Sequence, residues 1–514
     1  MKKLGKKTLA IAMSSVMATG LLAGCGGSAT KSDQTGNSGG TEVSTNNDTY
    51  EIVMELITYG KTPADVEKVE AAINEITVPK INATVKFLPV TIADHATKVG
   101  LLAAGGEKVD IIISGITTSA ATLHSNGVLA DLTELLPQYA PDLMEKEGEL
   151  LDVGKFDGGQ YAIPANIYPG ESLNLLYNKE MAEEYGITIP EKLENYEEWD
   201  AFFAECKDKL PEDVYPFTLG DGKGTSTVNF DSNFDTFGDT TYIASGALAN
   251  AETGTEIVNW YTTDNYKKLI EKRHEWYEAG YVVPDSMTSG FTTHDTVSAG
   301  QCFAFQNPFQ SNVNEVTLSK ITGVDLGYIN LTDPLISGGS AILNSWGIPV
   351  TSEKPEKALE LLNLIFSDVE LANLMNYGIE GVHYQKVSDH IIDYPEGSNP
   401  AEIGWGGFLN WFGDTSECYQ FSPMTEDFYT TIDQYGLKGA RVSNALGYTF
   451  DTSAFKTELA GITSIIDTEK PSLECGLVDV DEALSTFISD LEANGINEII
   501  AENQKQFTEW LNNK

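Results

Sequence analysis

The segment Val109-Asp110-Ile111-Ile112-Ile113 is apolar and β-branched apart from its one aspartate. Such a run is typical of a strand buried on both faces of a parallel sheet. On its N-terminal side, residues 50–59 and 83–88 have strand patterns, and residues 63–77 and 91–104 have the spacing of amphipathic helices. The order strand, helix, strand, helix, strand predicts an open, doubly wound sheet, which places the chain in the α/β class.

The ends of these strands indicate where a ligand binds. In open α/β sheets, ligands lie beyond the carboxyl ends of the strands. The first strand ends at Tyr59, Gly60 and Lys61, and the third runs into residues 114–118. We therefore expect Tyr59, Lys61, Ser114 and Thr117 at a binding site.

Charge and length set the class of protein. The 514 residues carry 32 lysines and arginines against 76 aspartates and glutamates, a net charge of −44. A surface this acidic repels phosphate backbones, so nucleic acid is excluded as a partner. A chain of this length exceeds what one core holds, so two or three lobes are expected.

The N-terminus has the pattern of a bacterial export signal. Four lysines precede an uncharged apolar stretch from Leu9 to Leu22, which is too short to span a bilayer comfortably. It ends in Leu22-Ala23-Gly24-Cys25, which resembles the lipobox of bacterial lipoproteins. Residues 1–24 are thus a predicted signal peptide, and Cys25 is a predicted lipidation site.

Residues 25–49 form a predicted tether. Beyond Cys25 the composition is Gly, Ser, Thr, Asn and Asp, which is typical of a flexible linker. We expect contact with the membrane through the lipid anchor only, on the extracellular face of the cytoplasmic membrane of a Gram-positive cell.

The remaining cysteines do not form a metal or redox motif. Cys206, Cys302, Cys418 and Cys475 contain no C-x-x-C pair. Three disulfide pairings or four isolated thiols are open, and the apolar run around Cys302 favours buried thiols.

Several motifs resemble those of family 1 extracellular solute-binding proteins, the receptor subunits of sugar ABC importers. They occur in the family's order along the chain. The matching segments are residues 109–113 leading to Asn126-Gly127-Val128-Leu129-Ala130-Asp131-Leu132, Gly159-Gln160-Tyr161-Ala162-Ile163-Pro164, Leu176-Tyr177-Asn178-Lys179-Glu180, Tyr196-Glu197-Glu198-Trp199, residues 299–305, residues 347–350 and residues 354–358.

The resemblance implies a two-lobed fold of the type II periplasmic-binding-protein kind, in which crossover hinge segments join the lobes and the ligand is clamped between them. It places residues 50–170 and 340–400 in the first lobe and residues 171–339 and 401–474 in the second. Residues 475–514 resemble the helical tail of a Gram-positive subset of the family, with a break expected at Gly495.

The resemblance also implies ligand-binding residues. Glu171 matches a glutamate that contacts sugar at the hinge, and Asn307 and Phe309 lie where the family has an N-G-P-W turn. Further candidates are Tyr168 in the hinge approach, Trp346 beside the second crossover, and Trp405 and Trp411 in a Gly-rich aromatic loop. For each tryptophan, packing is the alternative to ligand contact.

The implied function is to capture a carbohydrate, an oligosaccharide in particular, and to deliver it to ABC permease subunits. The resemblance further implies a monomeric receptor that has no cofactor, no metal and no catalytic residues. A receptor for peptides or another non-sugar solute is the alternative. A secreted glycoside hydrolase is a minor one, because 76 acidic residues offer many carboxylate pairs. The six histidines form no H-E-x-x-H, and the calcium-like segment starting at Asp231 lacks the required glycine and glutamate.

Overall fold

A computed structural model of the chain describes residues 49–58, 62–102, 108–115, 117–218, 233–239, 242–284, 292–308, 310–406 and 411–514. The predicted signal peptide, Cys25 and the linker up to residue 48 lie outside them. Residues Thr49–Lys514 form one unit.

The N-terminal part of this unit alternates strands and helices as the sequence predicts. Its strands are β1 (Tyr50–Thr58), β2 (Ala83–Thr91), β3 (Ile112–Ser114), β4 (Lys155–Phe156), β5 (Gly159–Gln160) and β6 (Ala162–Pro164). Its helices are α1 (Val66–Ile81), α2 (Ile92–Leu102), α3 (Ala120–Ser125), α4 (Leu136–Tyr139) and α5 (Pro141–Glu147).

The middle part forms a second set of strands and helices. The strands are β7 (Asn174–Asn178), β8 (Tyr215–Thr218), β9 (Ala247–Leu248), β10 (Ile257–Val258), β11 (Cys302–Asn307) and β12 (Leu326–Asn330). The helices are α6 (Lys179–Tyr185), α7 (Tyr196–Lys209), α8 (Asp264–Glu278), α9 (Thr293–Ser298) and α10 (Ser311–Thr322).

The C-terminal part is mainly helical. Its strands are β13 (Leu335–Ile336), β14 (Ser345–Gly347), β15 (Gln385–Lys386), β16 (Ile391–Asp393), β17 (Gln420–Phe421) and β18 (Arg441–Val442). Its helices are α11 (Gly338–Ile342), α12 (Pro355–Ser367), α13 (Val369–Tyr377), α14 (Asp427–Thr431), α15 (Lys456–Glu474), α16 (Val480–Ala493) and α17 (Ile496–Asn513).

The first sheet has β1 and β2 in parallel over nine residue pairs. A parallel bridge from Met54 to Ile111 places the entry to β3 beside β1, and β14 pairs antiparallel with both β3 and β6. Helix α1 packs here because Val66, Val69 and Ile73 recur on one face. This sheet and its helices surround the first core, and we call them the first lobe.

The second sheet has the order β12, β7, β11, β8. Helix α7 begins at Asn195, whose side chain caps it by accepting from Glu198 N. The buried face of α7 carries Trp199, Phe203 and Cys206 into a second core, distinct from the first. We call this sheet and its helices the second lobe.

The C-terminal helices α15 to α17 form a third core together with residues from 243 to 270. A buried ion pair, Arg273 Nη1 to Glu474 Oε2 at 3.3 Å, joins α8 to α15. The predicted break at Gly495 is confirmed, since this residue has a φ of 92° between α16 and α17. The helical tail begins earlier than residue 475, because α15 starts at Lys456.

Cys206, Cys302, Cys418 and Cys475 are buried thiols that are not joined in disulfides, which confirms the favoured interpretation. Trp405, Trp411 and Phe412 pack in the first core, although we expected residues 401–474 in the second lobe. Their neighbours there include Phe87 of β2, whose ring centroid lies 5.4 Å from that of Trp405.

Candidate functional site

The two lobes are joined by three hydrogen-bonded segments, residues 171–173, 331–336 and 441–443, which we call the connecting ribbon. Glu171 and Leu335 exchange both main-chain hydrogen bonds, at 3.0 and 2.9 Å, and β13 pairs in parallel with β18. Gly170 lies against Tyr435, where a Cβ would come within 2.6 Å of a carbonyl oxygen. Only glycine fits this close approach of the two backbones.

Glu171 is an ionisable group in the connecting ribbon. Burial raises the pKa of its carboxyl group from 4.5 to about 7. Near neutral pH, this side chain therefore exists in both forms, as a hydrogen-bond donor and as an acceptor. Both forms can pair with a hydroxyl group.

Tyr168 approaches the ribbon from the first lobe. Its carbonyl oxygen accepts a hydrogen bond from Gln310 Nε2 of the second lobe at 2.9 Å. Burial, and then the nearby carboxylates of Asp414 and Asp433, raise the pKa of its phenol to about 12. Tyr168 is therefore a neutral, half-buried ring beside the crossover.

Three asparagines lie in register at the end of the second sheet beside the ribbon. Asn174 opens β7, and it pairs with Asn307 of β11 on one side and with Asn330 of β12 on the other. Asn174 is buried, Asn307 is half-buried and Asn330 is exposed. We call this row the asparagine edge.

The carboxyl ends of β1 and β3 form the first-sheet edge, which is held by a buried network. Glu55 Oε2 accepts from Ile113 N at 3.1 Å and lies 3.3 Å from His95 Nε2. That same Nε2 lies 3.1 Å from Ile113 O, so it faces two acceptors and carries a proton. The other ring nitrogen, Nδ1, pairs with Thr117 Oγ1 at 2.5 Å.

The two predicted residues of the first-sheet edge have different environments. Ser114 is fully buried, and its hydroxyl donates to Ser345 O at 3.2 Å. Thr117 is exposed. Between them, Gly115 has a φ of 98°, and a Cβ there would lie 2.7 Å from Asn344 N. The tight turn therefore buries Ser114 and exposes Thr117.

The three predicted tryptophans lie in the first core. Trp346 is 1% exposed and its ring stacks on Phe412 at 5.5 Å, while Trp405 donates from Nε1 to Met375 O at 3.0 Å. Trp411 is 6% exposed. In this conformation their ring faces are covered by protein, which favours the packing alternative.

Tyr59, Lys61 and Phe309 lie outside the described residues. Sequence reasoning missed Glu55, His95, Asn174 and Asn330. A glutamate within an apolar strand was a signal for Glu55, since buried charges need partners. Only strand register brings the asparagines together.

Within the described part of the chain, no helix is both long and apolar enough to cross a bilayer. The same residues contain no group of three or more His, Cys, Asp or Glu side chains that could hold a metal ion.

Two α/β lobes joined by a crossover ribbon define a type II binding-protein architecture, which is that of a solute receptor. A profile of bacterial extracellular solute-binding proteins matches residues 68–381, and the chain belongs to this family. Residues 444–512, which cover α15, α16 and all but the last residue of α17, match a domain of unknown function.

Two relatives from Streptococcus pneumoniae match nearly the whole described unit. A carbohydrate ABC transporter substrate-binding protein of serotype 4 is 27% identical over 521 residues, 99% of each chain. The crystal structure of the N-glycan transport solute binding protein NgtS is 25% identical and superimposes with a TM-score of 0.76, over 90% of this chain and 99% of that one. Its complex with Man5GlcNAc has the same identity and coverage and a TM-score of 0.60.

Proposed function

We propose that this chain is the receptor of a carbohydrate ABC importer, and that it captures an oligosaccharide between its lobes and delivers it to the permease subunits. The asparagine edge beside Glu171 carries the proposal. Within this edge, the half-buried Asn307 carries amide donors and an acceptor in one plane, which suits the hydroxyl groups of a sugar. The relatives named for carbohydrate transport and for an N-glycan complex support this ligand class.

Closure of the lobes is the proposed mechanism. The NgtS structure whose name gives no ligand superimposes with a TM-score of 0.76, and the Man5GlcNAc complex superimposes with a TM-score of 0.60. A rotation of one lobe against the other lowers such a score without altering either lobe. In this proposal the described conformation is the open form, and the sugar shifts the equilibrium because it binds the closed form more tightly.

The chain is a receptor and not an enzyme in this proposal, and it works as a monomer. Cys25 carries the lipid anchor, and the Gly/Ser-rich linker up to residue 49 holds the body on the extracellular face of the membrane. Glu171, Asn307, Tyr168 and Thr117 contact the sugar, because they lie at the ribbon and the two edges and keep some exposed surface.

A thermal-shift and calorimetric screen of residues 49–514 tests the ligand class. The panel contains monosaccharides, oligosaccharides of mannose and N-acetylglucosamine, other oligosaccharides and a mixed peptide digest. A ligand at 100 times its dissociation constant stabilises the folded form by about 2.7 kcal/mol. We expect a shift with one class of oligosaccharide, together with a smaller radius of gyration in X-ray scattering.

A shift produced only by the peptide digest would replace the sugar with a peptide as the ligand. Release of shorter sugars during the incubation would instead show hydrolysis and overturn the receptor assignment.

A further inference from the structure

A cavity of about 370 Å³ lies in the second lobe, and its lining contains none of the residues assigned to sugar binding. It opens between the loop that precedes α7 and the first turns of α8. None of the residues at the first-sheet edge lines it, and neither do Glu171 or Asn307. Its volume lies in the range of roughly 300–1,000 Å³ that is typical of small-molecule pockets.

The floor of this cavity is apolar. Leu193, Leu269 and Leu331 form it together with the edges of Trp199 and Trp260. These five side chains are at most 8% exposed, so the floor is part of the packed lobe. It offers a preformed apolar surface to a ligand.

The rim of the cavity is polar and contains one partly exposed aromatic ring. Tyr196 supplies the ring, and Lys268 Nζ lies 5.0 Å from its centroid. Glu194, Asn195 and Asn265 complete this side of the rim. Asn195 is held in place, because its amide donates to Glu198 Oε1 at 2.8 Å while its oxygen accepts from Glu198 N at 3.0 Å.

The cavity adjoins the asparagine edge and the connecting ribbon. Leu331 directly follows Asn330, and its N–H donates to Leu173 O at 2.8 Å. On the other wall, Asn233 accepts from Arg441 Nη1 at 3.1 Å. The cavity thus shares two walls with the segments that join the lobes.

We propose that this cavity binds one neutral pyranose ring, either as a free sugar or as an outer ring of an oligosaccharide held between the lobes. An apolar floor with amides and one tyrosine at the rim matches the apolar face and the hydroxyl edge of a sugar. Glu194 and Lys268 both line the cavity, so its lining side chains carry no net charge and suit a neutral ligand. The choice of a sugar rests on the proposed function.

The test compares two substitutions of adjacent lysines on α8. Lys268→Trp places an indole in the mouth of the cavity. Lys267→Trp makes the same change at a neighbouring exposed lysine that faces α16, where Lys267 Nζ lies 3.0 Å from Asp481. Both variants lose one positive charge, so a difference between them reports the cavity itself.

Ligand-observed NMR titrations measure the affinity of each variant for methyl α-mannoside and for N-acetylglucosamine. The space between the lobes is first saturated with the oligosaccharide that binds most tightly in the screen. We expect a free ring to bind in the millimolar range, and Lys268→Trp to weaken it at least tenfold, whereas Lys267→Trp leaves it unchanged. If the cavity instead holds an outer ring, Lys268→Trp weakens the long oligosaccharide at least tenfold and spares a truncated one.

Equal affinities in wild type and Lys268→Trp for the free sugars and for the long oligosaccharide would overturn the cavity proposal and leave the receptor function intact. Equal losses in both variants would overturn it as well. If no oligosaccharide binds the wild type, the proposed function fails, and the titrations with the two free sugars still decide whether the cavity binds a ring.

Discussion

The two sheets end beside the connecting ribbon in different ways. At the first-sheet edge, polar side chains serve the protein itself: Ser114 bonds a backbone carbonyl, and His95 with Glu55 holds the turn that carries Thr117. At the asparagine edge, exposure increases from Asn174 to Asn307 and Asn330. Position near a strand end therefore does not by itself leave a polar side chain available to a ligand, because the protein's own backbone can take its hydrogen bonds.

The largest expected effect concerns the core behind the first-sheet edge. Trp346→Ala should lower the free energy of unfolding by about 3–5 kcal/mol, because it leaves a large cavity in a packed core. Urea unfolding measures this loss of unfolding free energy. Trp346→Phe is the control and should cost much less, since the buried indole N–H has no hydrogen-bond partner among the described residues. A stable Trp346→Ala protein that loses sugar affinity would instead make this residue a binding residue.

The next effect concerns the pH dependence of stability at the ribbon. The pKa of Glu171 is higher in the folded protein, at about 7, than in the unfolded chain. The folded state therefore holds more protons between about pH 4.5 and 7, and stability falls as the pH rises through this window. The contribution of Glu171 is up to about 3 kcal/mol.

Unfolding free energies of wild type and Glu171→Gln measured from pH 5 to 8 test this. Burial also raises the pKa of Glu147, and it does so in both proteins. This contribution cancels in the difference between the two curves, which therefore isolates Glu171. Parallel curves would show that Glu171 has an ordinary pKa.

A smaller effect is expected for the buried network. His95→Ala should lower the free energy of unfolding by about 2 kcal/mol, because Glu55 then remains buried without its imidazole partner. His95→Gln keeps one hydrogen-bonding group and should recover part of this loss. An unchanged unfolding curve for His95→Ala would contradict a structural role of the network at the first-sheet edge.

The smallest effect separates the two edges directly. Asn307→Ala should weaken the oligosaccharide found in the screen about fivefold, or about 1 kcal/mol, which is typical of one hydrogen bond lost, with stability unchanged. Ser114→Ala, the matched control at the first-sheet edge, should leave the affinity unchanged. Calorimetric titration measures both. The reverse result, with loss at Ser114 alone, would make Ser114 a binding residue and remove Asn307 from the proposed site.

Sequence patterns predicted local structure well where a single period dominates. Helix α1 and strands β1 and β2 lie where apolar spacing placed them, within a few residues at their ends. The break at Gly495 was readable because it interrupts a long amphipathic pattern. The start of the helical tail at Lys456 was missed, because Pro471 lies within α15 and discourages a helix prediction there.

The candidate site was predicted less completely. Glu171 lies in the connecting ribbon and Asn307 lies at the sheet end beside it, as their motifs indicated. We expected Trp346 beside the second crossover and Trp405 and Trp411 in a Gly-rich loop, but a sequence cannot show which side of a backbone faces a core. The Gly-rich context of Trp405 suggested an exposed loop, and packing against Phe87 buried the ring.

The class of the protein follows from the order of its residues alone. The alternation of strands and helices and the family motifs are local patterns, and such patterns can be read from a linear chain. The asparagine edge, the His95–Glu55 network and the second-lobe cavity arise only in the tertiary structure. Each joins residues between 18 and 156 positions apart, and only strand register and core packing bring such distant positions into contact.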